Sequence, residues 1–418
     1  MFKTYSALEY LCIDIANTFG NDKAVGFKGD KALFEERIDW VKQNYSVLEQ
    51  RVDEADEKEL YIKAVMALRD VVAGKPTGHL ISLDGVCSGI QIMSAITGCP
   101  KGGDITGLVN PNKRSDAYSE ITDELNQVLI KRGLASVQVS RDKAKEAIMP
   151  SIYGSKVKPI EVFGEDLLPV YYEACFTKAQ GAFTLLDILI NSWQPYALKH
   201  DWVLPDGHYV HIKTMSEVDT KIEIDELNHH KFATKYYENK GTKRGVKLAA
   251  HTIHSIDAYV LRSVLRRTNY KPKVINQALE LLTDALESEM TFQLEEDELE
   301  AHSDYFDNFK MADATTLPII TADNVTRLSK AHIKALINMA TNMLQYKPFS
   351  TLTVHDAFRC HPSDGNAIRY WYKEILAELA ESEILNVILM QITGNNPKFK
   401  KLSNNLPTLI RNSNYSLG

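Results

Sequence analysis

The chain has 418 residues, enough for two or three packed lobes around a substantial core. Its net charge of −7 argues against a generic nucleic-acid binder, although a locally basic channel needs no basic total. Five cysteines without a C-x2-C pair or zinc-ligand spacing argue against a disulfide scaffold or a zinc site, and no apolar run approaches the roughly 18–20 residues that span a bilayer. The thiols therefore read as reduced, in a cytoplasmic protein.

Residues 1–75 contain no proline and read as mostly helical, with DKALFEERIDWVKQNYSVLEQRV (30–52) amphipathic over several turns. PTGH (76–79) breaks that pattern, and LISLDGVCSGIQ (80–91) reads as a short apolar strand that delivers Asp84, with Gly85 next. A Gly/Pro/Asn-rich loop then leads into DAYSEITDELNQVLIKRG (116–133). This is a helix entered through Ser115 and Asp116, with Tyr118 in its first turn.

RDKAKEAIMPSIYGSK (141–156) places Arg141, Lys145, Met149 and Tyr153 at every fourth position, and Gly154 follows. Four helical residues turn the chain by about 400°, so these side chains form one slowly drifting stripe. Two cations, a thioether and a phenol make a poor core face. They suit a ligand with phosphates at one end and a flat ring at the other. Pro150 removes one main-chain hydrogen bond and would cost about 3 kcal/mol in a straight helix, which predicts a kink or irregular turn before Tyr153.

Two apolar helices follow, to about residue 200. WVLPDGHYVHI (202–212) reads as a hairpin through Pro205-Asp206-Gly207, and 213–240 is polar with strand-like alternation. LAAHTIHSIDAYVLRSVLRR (248–267) is an amphipathic helix carrying His254 and Asp257. Residues 272–345 read as inserted helices with a solvated acidic run, LEEDELEAHSDYFD (294–307). FSTLTVHDAFR (349–359) is a β-branched run read as a second strand delivering a carboxylate, Asp356. A long helical pattern over 364–392 is broken by Gly394, and basic clusters stand at 240–247, 262–267 and 398–401.

Two strand-end aspartates flanking an R-x3-K-x3-M-x3-Y-G helix are the ordered motifs of nucleotidyl-transferring polymerases. The chain resembles the single-subunit phage and mitochondrial RNA polymerases, which share a palm and fingers with the DNA polymerase I family. In the DNA-making relatives a Glu five residues after the first Asp blocks a ribose 2′-hydroxyl; here that position is Gly89. Those relatives usually have Phe at the place of Met149 and Glu at the place of Ala357. The readings from other quarters are a DNA polymerase of the same superfamily and a non-catalytic, polymerase-like scaffold for nucleic acid.

The resemblance implies an α+β right-hand polymerase fold, with a small antiparallel palm sheet carrying the two Asp and mainly helical fingers. Residues 1–112 are expected to form the first part of the palm, 113–253 the fingers, and 254–418 the second part of the palm with the inserted helical subdomain at about 272–345. Two Mg²⁺ ions, or Mn²⁺ in their place, are expected on Asp84, Asp356 and the main-chain oxygen of Gly85. Lys31, in the DKALFEER segment, Arg141 and Lys145 would meet the triphosphate, with Lys145 as general acid to the leaving pyrophosphate. Tyr118 would lie near the incoming base. Tyr153 would close the sugar pocket against His254, both favouring a 2′-hydroxyl, and Gly154 would give the templating base room at the main chain. Lys158 replaces an aromatic that some relatives carry. Phage enzymes place a promoter-reading loop in the 213–240 interval, where the residues here give no assignable contacts.

The implied partners are a DNA template, an RNA product and ribonucleoside triphosphates. The sequence has no D-x2-G-R motif. Its layout is most like the larger catalytic subunit of a two-chain phage RNA polymerase. A smaller second subunit is expected to supply the N-terminal domain, the thumb and that motif, in the bacterial host cytoplasm if the chain is phage-encoded.

Overall fold

The computed structural model describes residues 2–243, 245, 247–287, 298–396 and 398–418. Positions 244 and 246 of the first basic cluster and 294–297 of the acidic run lie outside the described residues. The fold is α+β: helices surround several small antiparallel sheets. No helix among the described residues is long and apolar enough to cross a membrane.

The N-terminal helix Ala7–Phe19 starts at a capping box, in which the Ser6 hydroxyl accepts the Glu9 N–H and the Glu9 carboxylate accepts the Ser6 N–H. It packs against helices Phe34–Asn44 and Lys58–Val72. The amphipathic stretch predicted over 30–52 stops at Asn44 and passes into a 3-10 turn, Leu48–Glu54. From that turn Arg51 reaches the buried Asp22 at 2.9 Å, which also accepts the Trp40 indole N–H at 3.0 Å.

A three-stranded antiparallel sheet lies at the centre, in the order Ile81–Asp84, Ala357–Cys360, Leu352–Val354. The single strand expected over 349–359 is thus a hairpin. Val354 pairs with Ala357 across a two-residue turn, and His355 takes a left-handed φ of 54° there. Alternation from residue to residue buries Ile81 and Leu83 against Phe358 and Cys360, and the strand ends open at Asp84. Asp14 accepts the Ser82 N–H at 3.2 Å on the outer edge and bonds His79 at 2.8 Å, so this edge strand is held from both sides.

Helix Ser88–Thr97 follows at once and is buried at every position. Around it pack Gly365–Glu381, Lys247–Thr268 and the long helix Val157–Asn191, which breaks at Gly164 and Ala179. The hairpin Lys199–Val203/Tyr209–Lys213 turns through Asp206, whose carboxylate takes Arg262 and Arg266, both at 2.7 Å. Arg267 is buried against Glu378 at 2.6 Å. The basic cluster at 262–267 is therefore spent on internal ion pairs.

The 213–240 stretch forms a second, long hairpin, Met215–Ile224/His230–Asn239, exposed along most of both faces. Helices Pro272–Glu287, Glu298–Phe309 and Lys330–Met343 enclose an apolar cluster of their own, with Leu282, Leu336 and Trp371 at its centre. The C-terminal pattern splits at Ser382 into Gly365–Glu381 and Ile384–Thr393, with Gly394 capping the second helix. Residues 413–418 are buried; Leu417 bridges Gly85, and the Gly418 N–H donates to the Asp84 carbonyl at 3.0 Å.

Candidate active site

The sheet register sets Asp84 opposite Ala357, one residue from Asp356. The Gly85 N–H donates to the Asp356 carbonyl at 3.1 Å, and a Cβ on Gly85 would stand 3.2 Å from Asp356 Oδ2. The two carboxylate-bearing turns thus lie one against the other. Asp84 reaches solvent, yet the walls of the cleft withhold much of its hydration and Asp356 repels its charge. Both effects raise its carboxyl above the ordinary range, against the Gly85 N–H and the cations Arg114 and Lys31. No lysine or arginine among the described residues pairs directly with either carboxylate. Asp257 is a third carboxyl on this side: burial first, then the charge of Asp356, push it up to about 6.

The stripe read from the sequence is present on helix Arg141–Ser151, which turns Ala144, Ala147, Ile148 and Ser151 to the core and leaves Lys145 and Met149 exposed. Regular helix ends one residue after Pro150. Ser155 N–H then bonds the Pro150 carbonyl at 3.1 Å and Gly154 N–H the Ser151 carbonyl at 2.9 Å, with Gly154 at φ 91°. This paired closure around a left-handed residue requires glycine at 154 for its backbone and places Tyr153 in the last, irregular turn. Gly154 also borders a cavity of about 240 Å³ with Tyr172, Phe176 and Phe183, which no other predicted site residue lines.

Tyr153 meets His254 with ring centroids 4.6 Å apart. Burial pushes that phenol up to about 12, with the charges of Asp257 and Asp356 adding to it. His254 is held below its ordinary value by burial and by His251 and His355. Gly89 lies beneath the same ring: a Cβ there would stand 3.3 Å from the Tyr153 hydroxyl oxygen and 3.2 Å from Ile152 Cδ1.

Tyr118 sits under both cations of the stripe, with Arg141 Cζ 5.6 Å and Lys145 Nζ 5.5 Å from its ring centroid. Lys31 lies 4.0 Å from the Asp116 carboxylate that also takes Arg141. Lys31, Tyr118, Arg141 and Lys145 thus share one cluster. Asp84, Gly85 and Asp356 form another, and Tyr153 with His254 stands beside it.

Two residues of this cleft have no counterpart in the motifs. Asp116 was legible only as a helix cap. Arg114 is an inward-turned guanidinium whose buried Nε has no partner and whose charge burial disfavours. Glu223, Asp225 and His229 also converge, within 4.8 Å of one another, but on the tip of the exposed hairpin.

Residues 3–161 match the family described as DNA-dependent RNA polymerase. A DNA-directed RNA polymerase of Pseudomonas phage phiKMV is 26% identical over 184 residues, 37% of this chain and 22% of the phage protein. A Neurospora crassa protein named as a probable DNA-directed RNA polymerase is 29% identical over 174 residues, 37% of this chain and 18% of its own. The chain thus spans about a fifth of the length of these relatives. On these matches residues 3–161, which carry Asp84 and the Arg141–Tyr153 stripe, are similar to DNA-dependent RNA polymerases, including one phage enzyme and one fungal protein.

Proposed function

We propose that the chain is the catalytic palm and fingers of a DNA-templated RNA polymerase. The observation that carries the reading is the apposition of Asp84 and Asp356 at two adjoining strand ends, with the Arg141–Tyr153 stripe opening onto the same cleft. Two like-charged carboxylates with no lysine or arginine of the described residues paired directly to them, beside main-chain oxygens, form the hard donor set that suits Mg²⁺. Asp84, Asp356 and the Gly85 carbonyl would hold two such ions, which when bound offset charge on the attacking and leaving oxygens of phosphoryl transfer.

The chain's own groups do the rest. Arg141 offers planar, paired donors to the triphosphate, and Lys31 adds charge beside it. Lys145, on the open face, delivers a proton to the departing pyrophosphate. Tyr118 packs near the incoming base. Tyr153 and His254 face the sugar, and the space over Gly89 leaves a 2′-hydroxyl unobstructed.

Tyr153→Phe keeps the ring and removes one hydroxyl. Ribonucleotide over deoxyribonucleotide preference should narrow by about 1–2 kcal/mol, roughly 5–30-fold, while the ribonucleotide rate falls much less. Competitive incorporation on one template measures this, and an unchanged ratio would show that the hydroxyl does not sense the sugar.

In this reading a smaller second polypeptide supplies the N-terminal domain, thumb and D-x2-G-R motif, and the two chains act together in the cytoplasm. Phosphate contacts provide much of the hold on nucleic acid, so a palm and fingers alone should grip a hybrid loosely. On a primed DNA template with ribonucleotides and Mg²⁺, the purified chain should extend poorly, and a co-expressed smaller chain bearing that motif should restore synthesis. Processive transcription by the 418-residue chain alone would refute the two-chain arrangement, and absence of synthesis in both preparations would refute the polymerase reading.

A further inference from the structure

Two cations of the cleft converge on one carboxylate. Asp116 Oδ2 accepts from Arg141 Nε at 2.7 Å and from the Ser119 hydroxyl at 3.0 Å, with Lys31 Nζ at 4.0 Å. The guanidinium of Arg114 is coupled to the same charge. The other oxygen, Oδ1, accepts the Tyr118 N–H at 3.2 Å and so caps helix Ala117–Lys131. Burial works against this charge, but Arg141 and Lys31 outweigh it and hold the carboxyl below its ordinary range.

Without a counter-ion, Lys31, Arg114, Arg141 and Lys145 would repel one another. Arg141 spends its Nε on Asp116, and its terminal nitrogens stay available; among the described residues Nη1 has only the exposed Asp142, at 3.6 Å. Carboxylate and phosphate therefore need not compete for the same N–H groups.

We propose that Asp116 is a positioning residue, which gathers Arg141 and Lys31 ahead of the nucleotide and turns the outer edge of the Arg141 guanidinium toward the triphosphate. This rests on the polymerase reading above. It adds that the pocket's affinity for nucleotide depends on an anion that never touches the substrate.

Asp116→Asn separates this role from capping, because asparagine caps a helix about as well as aspartate. With melting temperature preserved, the variant should raise KM for each ribonucleotide by about 5–20-fold and change kcat by less than about 3-fold, the pattern of lost ground-state and transition-state binding together. In an Arg141→Gln background the same substitution should add less than about a 2-fold change, since residues acting through one another are not additive. Equilibrium titration of the full chain with an α,β-methylene ribonucleoside triphosphate should show the same weakening. If the wild type binds this probe and Asp116→Asn binds it as well or better, or if the two substitutions are fully additive, the positioning role is overturned alone. If the wild type neither binds the probe nor extends a primer with its partner, the polymerase reading falls and this one with it.

Discussion

Asp84→Asn and Asp356→Asn should each reduce nucleotide addition to less than about a hundredth of the wild-type rate, a loss of at least roughly 2.7 kcal/mol in the barrier. Each change removes a charge from the oxygen set while leaving the sheet register intact, since the pairing of Asp84 with Ala357 is a main-chain matter. Stability should not fall. The Asp84 carboxyl stands above its ordinary value in the folded protein, so its ionisation costs stability as pH rises through that range. Asparagine removes this cost, and the melting temperature at neutral pH should hold or rise. Single-nucleotide extension rates with parallel thermal melts measure both. A variant that keeps more than about a hundredth of the rate would show that its carboxylate is not a required metal ligand.

Gly89→Glu should nearly close the site to ribonucleotides. Even a methyl on Gly89 would press Ile152 Cδ1 at 3.2 Å and the Tyr153 hydroxyl oxygen at 3.3 Å. A glutamate must project past them into the space assigned to the sugar, where it meets a 2′-hydroxyl first. Ribonucleotide addition should drop at least about 100-fold, and deoxyribonucleotide addition should fall less, because a steric and desolvation penalty falls on the hydroxyl-bearing substrate. Gly89→Ala, which needs only a small displacement of Tyr153, should cost much less. Ribonucleotide rates within tenfold of wild type for Gly89→Glu would place the sugar elsewhere.

Local pattern carried far in this sequence. The four-residue spacing of Arg141, Lys145, Met149 and Tyr153 is a property of the helix itself, and Pro150 forecast the irregular turn because a missing N–H acts locally. The 202–212 hairpin was legible from Pro205-Asp206-Gly207 for the same reason. The stretch 349–359 was read as one strand because a two-residue turn without Gly, Asn or Pro leaves no mark; it needs only that His355 accept φ 54°. The partners of Asp116 lie 25 residues away at Arg141, and those of the 262–267 cluster at Asp206, 56 residues from Arg262, and at Glu378, 111 residues from Arg267. Ion pairs of that kind have no period. The sequence shows a basic cluster and a helix cap, and only the assembled chain shows what each is tied to.

The way Asp84 acquires its neighbours bears on how the protein is made. Its strand waits for Ala357–Cys360, and Gln91, on the buried helix behind it, bonds Tyr372 across 281 residues and the Ser416 carbonyl across 325. Contacts so distant in sequence form late, because the entropy of closing their loops must be met first. Helix Ala7–Phe19 and its two neighbours can pack soon after they leave the ribosome. The roughly 270 residues separating the two aspartates take on the order of 15–50 s to synthesise at about 5–20 residues per second. Through that interval Ser88–Thr97, destined to be enclosed on every side, lacks the cover that Gly365–Glu381 will give it. The half-made chain thus leaves part of a fully buried helix open until its last stretch is made, and it is then, rather than after folding, that chaperones and aggregation compete for it.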